Sequence, residues 1–443
     1  MSSKTKSNLK SEFWKQVLLL ATAQAFLMLA YGAILPILPY YLYEFGAGAF
    51  EYGLLVATFS IFAFISAGPF GSLSDRIGRK PVILISLVGA SISLVVFGLA
   101  NVIILLFIAR GAEGFFTAGL WPSSDALVSD IVPEEKRGTA WGTLLAGRTT
   151  GMIFGPTLGG LLVFYFGLRI PFLINAVLAV IAFILCLLFI REPLHEYQNM
   201  LAVQKTKEDG SSIFEKIRDG LRAYRTVLLI GGTTLAVALI IRFTRIFTIA
   251  TMEPMFAIYT TDLRTFGFSP IELGLFFFFF ATSNAICQLI FGRLSDTVGH
   301  ELTMALSGIV SASGLFISMF ATSRSELYMV AVLLGMGGAM ALPSSTAVAA
   351  STASPAQRGR VMGLMGMAGS AARATGPILG GFFYANILAL TDSPYQAAFI
   401  PLMIAIITSL LGTIAVLPLM AKSRKENSTA APTSTNGKSF EEE

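Results

Sequence analysis

The sequence predicts an all-α membrane protein: twelve transmembrane helices in two parallel six-helix repeats, with both the N and C termini cytoplasmic. Three observations predict it: a composition too apolar for water, twelve apolar runs of membrane-spanning length, and an internal repeat at a shift of 221 residues. Of the 443 residues, 54% are hydrophobic and 13% charged, and the mean hydropathy is +0.73. A soluble domain carries about 25% charged residues, so this chain lacks the polar groups to cover a water-exposed surface. A disordered chain, a collagen-like fibre and a disulfide scaffold fall with the soluble reading. Cys186 and Cys287 both sit in apolar runs and say nothing about redox compartment. The two histidines, His195 and His300, have no cysteine or acidic cluster beside them, so neither a metal site nor a cofactor is expected. The net charge of +5 is scattered between apolar runs rather than packed with aromatics. That distribution fits membrane orientation and not nucleic acid.

A helix needs about 20 apolar residues to cross the hydrocarbon core. Irregular backbone cannot leave its N–H and C=O groups unpaired in lipid, so each continuous run is a helix. A β-barrel would show short alternating segments instead. The first run, near 17–43, follows a basic segment, 1–16, but is too long for a signal-peptide core and has no small-residue cleavage site. Trp14 suits one membrane interface, and Tyr40, Tyr41 and Tyr43 suit the other. Runs near 51–72, 81–100, 102–128, 139–162 and 171–190 complete a bundle over 17–190. A basic linker, 191–226, joins it to the next bundle, with a short amphipathic surface helix expected from Ile213 to Arg225. Six further runs, near 228–259, 270–291, 302–320, 326–350, 361–384 and 397–419, form a second bundle over 227–420. The polar segment 421–443 ends in Glu441, Glu442 and Glu443 and is expected to be disordered. Of the 31 Lys and Arg, 23 fall on the side of the termini, three (Arg169, Arg264 and Arg324) on the other, and five inside spans. The positive-inside rule then puts the termini, the linker 191–226 and the segment 421–443 in the cytoplasm.

The repeat is ungapped. Phe70-Gly71-x-Leu73-Ser74-Asp75-x-x-Gly78 falls on Phe291-Gly292-x-Leu294-Ser295-Asp296-x-x-Gly299. Gly155-Pro156-x-Leu158-Gly159-Gly160 falls on Gly376-Pro377-x-Leu379-Gly380-Gly381. The shift covers six helices, an even number, so the halves share one orientation and relate by an axis along the membrane normal. Two like-oriented bundles with charges inside suggest a midplane site that opens to one side and then the other by rocking.

Three motifs carry chemistry. Gly71-Ser-Leu-Ser-Asp75-Arg76-Ile-Gly78-Arg79-Lys80 sits in the turn after helix 2, where glycines permit φ > 0. Asp75 can accept from backbone N–H groups or pair with an arginine, and the turn can equally be a topology anchor. Helix 5 carries Gly147, Gly151, Gly155 and Gly159 at steps of four, a ridge that lets another helix approach closely. Pro156 weakens the local ladder. Helix 4 carries Arg110 and Glu113, which lie on one face at i and i+3.

These motifs resemble those of the major facilitator superfamily, in its twelve-helix drug:proton antiporter branch, similar to multidrug and tetracycline exporters. The turn at 71–80 resembles the family's signature loop, with Thr297, His300 and Glu301 departing from it in the second copy. The resemblance implies that Asp75 reaches helix 11 and latches a cytoplasmic gate. Gly151-x-x-x-Gly155-Pro156-x-x-Gly159-Gly160 resembles the family's antiporter motif, although the same letters serve plain helix packing. Leu35-Pro36-Ile37-Leu38-Pro39 is similar to the Pro-x-x-Pro of the same exporters. The Arg110 motif resembles one implicated in proton handling, with Glu113 in place of the family's Gln, although a static ion pair is the other reading. The resemblance implies proton-coupled export of a small organic molecule or drug by a monomer, with lipid around it, in the plasma (inner) membrane of the cell. The alternative is a facilitator or symporter for a sugar, organic anion or other metabolite. An enzyme is not expected, because no nucleophile–base pair or metal cluster appears.

Many proton-coupled relatives carry an acid in the middle of helix 1. Here that stretch reads Gln24 to Gly32 without one, so the expected proton carrier is Glu113 first and Glu253 second. Arg148, Arg242, Arg245 and Arg373 complete the interior charges, with Asp125 nearer the cytoplasmic end as a gate residue or cap. A charge at the bilayer centre costs at least ~2.5–3.5 kcal/mol, so such residues face the interior or a wet cavity. The arginine surplus suggests an anionic or zwitterionic cargo. Tyr31 is the aromatic expected to line the chamber. Phe276 to Phe280 are expected mainly to pack against helices and lipid.

Overall fold

The computed structural model describes the backbone of residues 3–192, 213–354 and 357–430, and side chains within 13–192, 227–354 and 357–421. Among the described residues the regular structure is entirely helical. Twelve helices are long and apolar enough to cross a membrane: α1 (Phe13–Tyr43), α2 (Ala49–Ile77), α3 (Arg79–Leu99), α4 (Ile103–Ile131), α5 (Glu134–Phe166), α6 (Ile170–Phe189), α7 (Val227–Thr261), α8 (Pro270–Val298), α9 (His300–Phe320), α10 (Arg324–Ser351), α11 (Arg358–Thr391) and α12 (Pro394–Ala421). They follow the twelve expected runs. Most ends lie further out, because the helices continue past their apolar stretch into polar turns. Helix α4 is broken between Thr117 and Leu120, where Pro122 has no N–H to offer the Ala118 carbonyl.

The backbone is helical from Ile213 on into α7, with a break inside α7 at Gly232 (φ 52°). The expected surface helix at 213–225 falls in that stretch, while 193–212 of the linker lie outside the described residues. The last helix runs on to Ala430, nine residues past the point where a disordered tail was expected to begin. Ala421 to Glu426 are mostly good helix formers. Residues 431–443 lie outside the described residues.

Packing follows the repeat. In the first half α1 packs on α5 and α6, α3 on α6 and α4, and α2 on α4; in the second α7 packs on α11 and α12, α9 on α12 and α10, and α8 on α10. The halves meet along two seams, α2 against α11 and α5 against α8. A Cβ on Gly274 would lie 2.5 Å from the Pro156 carbonyl oxygen, and one on Gly53 would lie closer still to that of Pro377. A Cβ on Gly160 would strike the Pro270 carbonyl, and one on Gly381 that of Ala49. Each contact maps onto its twin by the same 221-residue shift, so the seams are copies about a two-fold axis between the halves.

Both seams are tight where α2 and α8 begin, on the face opposite the termini. There the Tyr40 hydroxyl of the first half also donates to the Phe268 carbonyl of the second. At the terminal ends of the same four helices, a Cβ on Gly68, Gly71, Gly138, Gly142, Gly292, Gly359 or Gly366 would meet nothing within 4 Å. The molecule is therefore closed on the opposite face and open between its halves on the terminal face.

Candidate functional site

Glycine geometry shapes the signature turn. Gly78 has φ 104°, and its repeat mate Gly299 has φ 97°, values that Cβ-bearing residues rarely adopt. The N–H groups of Arg79 and Lys80 open α3 and donate to the Glu192 carboxylate at 2.7 Å each. Glu192, and not Asp75, thus satisfies the orphan donors at this helix start. Asp75 pairs with Arg79, which also reaches Asp130 at 3.3 Å. The expected reach of Asp75 to α11 is not made, because the halves have parted on this face. Lys80 donates to the Leu187 carbonyl at 2.8 Å, and Arg76 is exposed. Gly71 lies on the open side of α2.

The α5 ridge has α1 as its partner. Cβ atoms on Gly147, Gly151, Gly155 and Gly159 would strike α1 backbone at Ala21, Ala25, Leu29 and Ala33, in register at steps of four. Gly160 faces the other way, onto α8, and Pro156 contributes the carbonyl that Gly274 meets. The motif therefore joins α1 and the seam between halves through one helix.

Five arginines, Arg110, Arg148, Arg242, Arg245 and Arg373, lie well inside the spans, away from their ends, and their surroundings differ. Arg110 is 1% exposed and pairs with Glu113 at 2.7 Å. Its guanidinium lies 4.7 Å from the Phe59 ring centre and 5.6 Å from that of Tyr31. Arg148 donates to Gln24 at 2.7 Å and to Asp125 at 2.6 Å, with the Trp121 ring 4.9 Å away. Arg245 is 2% exposed and has no carboxylate; it donates to Ser409 at 2.7 Å and to Ser311. Arg242 and Arg373 form no ion pair or hydrogen bond among the described residues, and the Arg242 Nε is buried without a partner. The interior surplus of positive charge thus belongs to the second half alone.

A cavity lies between the halves, lined by Leu35 and Met152 of the first and by α7, α8, α9 and α10 of the second. Its wall is apolar, with Phe256, Phe276, Phe277 and Phe280, and it holds one carboxyl, Glu253. Glu253 Oε1 is buried without a hydrogen-bond partner. Tyr31 and Tyr52 of the first half, and the charges of Arg110 and Arg373, lie within its electrostatic reach.

Of the residues expected in the pathway, Glu253 lines the cavity and Tyr31 stands beside Arg110. Glu113 is tied to Arg110, and Gln24 with Arg148 forms a separate cluster with Asp125. The phenylalanines of α8 depart from expectation, since three of the five line the cavity. Five consecutive Phe give no periodicity from which to choose. Helical spacing was the available signal for others: Ile249, Glu253 and Phe256 fall on one stripe of α7.

The Major Facilitator Superfamily model matches residues 20–263 and again 235–442, about once per half. Multidrug resistance protein MdtG of Proteus mirabilis (strain HI4320) is 30% identical over 387 residues, covering 85% of this chain and 91% of that protein. Multidrug resistance protein 2 of Bacillus subtilis (strain 168) is 28% identical, covering 80% of this chain and 85% of that protein. Among solved structures, a bacterial homolog to the human lysosomal transporter Spinster, inward-facing and occupied, superposes with a TM-score of 0.73 at 17% identity over 93% of this chain and 97% of that one. The human organic anion transporter MFSD10 (TETRAN) superposes at 0.66 with 21% identity, over 90% and 98%. These two likenesses concern the fold.

Proposed function

The chain belongs to the major facilitator superfamily, and from that premise we propose that this multi-pass membrane protein exports small organic molecules or drugs by alternating access, with protons as the coupling ion. The observation that carries the reading is the cavity itself. It lies between two halves that seal on one face and part on the other, and it holds one carboxyl in an apolar wall. The names of the relatives, multidrug resistance proteins, support drugs as cargo. The excess of Lys and Arg on the terminal face supports placing that face in the cytoplasm of a cell whose plasma membrane holds the protein as a monomer. In this state cargo enters from the cytoplasm.

Glu253 is the better proton carrier of the two acids considered. Glu113 already has Arg110 at 2.7 Å, whereas Glu253 Oε1 has nothing to satisfy it. A buried polar atom without a partner costs about 1–3 kcal/mol, more if charged, and a proton arriving through the chamber removes that cost. Rocking the halves changes what faces Glu253, because Arg110, Tyr31 and Tyr52 belong to one half and Arg373 to the other. Asp75 and Arg79 would serve the gate in the opposite state, when the terminal face closes. One inward proton supplies about 2.3 kcal/mol per 100 mV and about 1.4 kcal/mol per pH unit.

The test is substrate-induced proton movement in liposomes with an internal pH dye and an imposed pH gradient, run over a panel of drugs. Wild-type protein should couple proton entry to drug exit, and Glu253→Gln should abolish the coupling. Transport that persists unchanged after the gradient collapses would refute the proton. Cargo moving in the same direction as the proton would favour the symporter reading.

A further inference from the structure

Resting on the transport reading above, we propose that Arg242 and Arg373 form an anion subsite beside the chamber, where α7 meets α11, so that the cargo is a small amphipathic organic acid: one carboxylate or phosphonate on an aromatic or alkyl body.

Arg110 and Arg148 have their own carboxylates, and Arg245 is held by two serine hydroxyls in a closed site. Arg242 and Arg373 have neither, and they stand together. From the point where a Gly369 Cβ would lie, Arg242 Nε is 3.6 Å away and Arg373 Nη2 3.9 Å. Ile246 Cδ1 stands nearer the same point, at 2.9 Å, so an apolar methyl group adjoins the two guanidinium groups. Both arginines lie near the middle of their spans, Val227–Thr261 and Arg358–Thr391.

Neither lines the apolar recess itself, and their place beside it follows from the helix stripes. Arg242 falls on the same stripe of α7 as Ile249, Glu253 and Phe256, all of which line the cavity. Arg373 lies on the stripe of α11 that carries Gly369, Gly376 and Gly380, whose Cβ positions meet α7. The 221-residue repeat places Arg373 at the counterpart of Met152, a cavity-lining residue. Arg373 is exposed, so a ligand can reach it.

Two cations held together at membrane depth without an anion are unfavourable twice over, by repulsion and by lost hydration. A carboxylate or phosphonate bridging the two guanidinium groups relieves both, and the guanidinium fork suits its geometry. The apolar body then extends into the recess formed by Leu35, Met152 and the phenylalanines. Glu253 lies eleven residues beyond Arg242, about 16 Å along the helix. The proton site and the acid site are therefore separate and can be occupied together.

Binding is measured by calorimetry on the full chain in nanodiscs, without any gradient. The probes are 4-phenylbutyrate, phenylphosphonate, 4-phenylbutanol, 4-phenylbutylamine and inorganic phosphate. The two acids should bind at least tenfold more tightly than the amine and the alcohol. Arg242→Gln and Arg373→Gln should each weaken acid binding about tenfold to a hundredfold and leave the alcohol unchanged. Gly369→Ala, which keeps both charges but crowds Ile246 and the two guanidinium groups, should weaken the acids as well. The subsite is overturned if acid and amine bind alike, if neither acid binds, or if the folded arginine variants bind the acids as wild type does. Inorganic phosphate binding as tightly as phenylphosphonate would overturn the amphipathic cargo. Acid binding to a protein that shows no proton coupling in the liposome test would remove the proton and leave the subsite standing.

Discussion

Gly274→Ala should push the protein toward the state open on the face opposite the termini. The new Cβ would stand 2.5 Å from the Pro156 carbonyl oxygen, with Thr157 Cα at 3.3 Å. Ordinary contact begins near 3.4 Å, so α5 and α8 must part by close to an ångström. The obstructing atom is backbone and cannot swing aside. Overpacking of this kind costs typically 1–3 kcal/mol. The cost falls on the closed seam alone, which changes the ratio of the two states by about 5- to 150-fold. Gly53→Ala should act at least as strongly at the twin seam, since its Cβ would lie closer still to Pro377. Gly68→Ala is the control: nothing lies within 4 Å of its Cβ, and alanine improves helix propensity by up to about 1 kcal/mol. Spin labels at Glu44 and Leu390, both exposed on the closed face and in different halves, report the separation by pulsed electron resonance. A longer-distance population should grow in the two seam variants and not in the control. Unchanged distances in a folded Gly274→Ala protein would refute the claim that these glycines hold the seal.

Arg110→Ala should destabilise the folded protein by about 3–5 kcal/mol, because it strands Glu113 in a buried site; Arg110→Met with Glu113→Leu should recover most of it, read as thermal unfolding in detergent. Glu192→Ala should cost about 0.5–2 kcal/mol by the same assay, through loss of the acceptor for the first N–H groups of α3. On the closed face, burial opposes ionisation of Asp262, but hydrogen bonds from Arg264 outweigh it and hold the carboxyl below its ordinary range. The stability it adds is therefore full above the unfolded value of about 3.9 and is lost as pH falls below it; Asp262→Asn should flatten that part of a melting-temperature profile. Coupled exchange of one proton inward for one organic monoanion outward moves two charges, so a potassium-diffusion potential should drive it at about 4.6 kcal/mol per 100 mV; transport indifferent to the potential would exclude that pairing.

The frame was legible because lipid leaves the chain few options. Apolar length gives the spans, and the even shift of the repeat gives parallel halves. The four seam glycines were visible as repeat mates, Gly53 with Gly274 and Gly160 with Gly381. That they close on Pro377, Pro156, Pro270 and Ala49 depends on helix rotation, which no sequence spacing specifies. The arginines were found as residues, but their partners were not. Arg110 and Glu113 could be paired by i, i+3 spacing. Arg148 with Asp125 and Arg245 with Ser311 and Ser409 are long-range contacts between helices. The contact Asp75 makes here was not legible, because the expected partner lies across a gap that is open in this state, leaving Arg79, one turn away, as the available cation.

One signal in the sequence was stronger than the motifs that drew attention. Reading the repeat for differences rather than matches separates frame from chemistry. Arg110 and Glu113 stand opposite Ala331 and Leu334; Arg148 and Asp125 opposite Gly369 and Thr346; Arg242, Arg245, Glu253 and Arg373 opposite Ala21, Gln24, Gly32 and Met152. Every interior charge falls where the other half carries a neutral residue. The physical reason is the two-fold axis. A charge retained in both halves would face its own image across the chamber, and like charges in a medium of low dielectric repel strongly. Glycine and proline contacts gain from being duplicated, because two equal seams let the halves rock as rigid bodies about the axis. The symmetric residues therefore build the seams, and the asymmetric ones carry the groups on which the proposed proton and cargo sites rest. The three arginines without an acidic partner and the one unpaired carboxyl all lie in the second half. That half should decide what is bound, while either half alone suffices to shift which face is open.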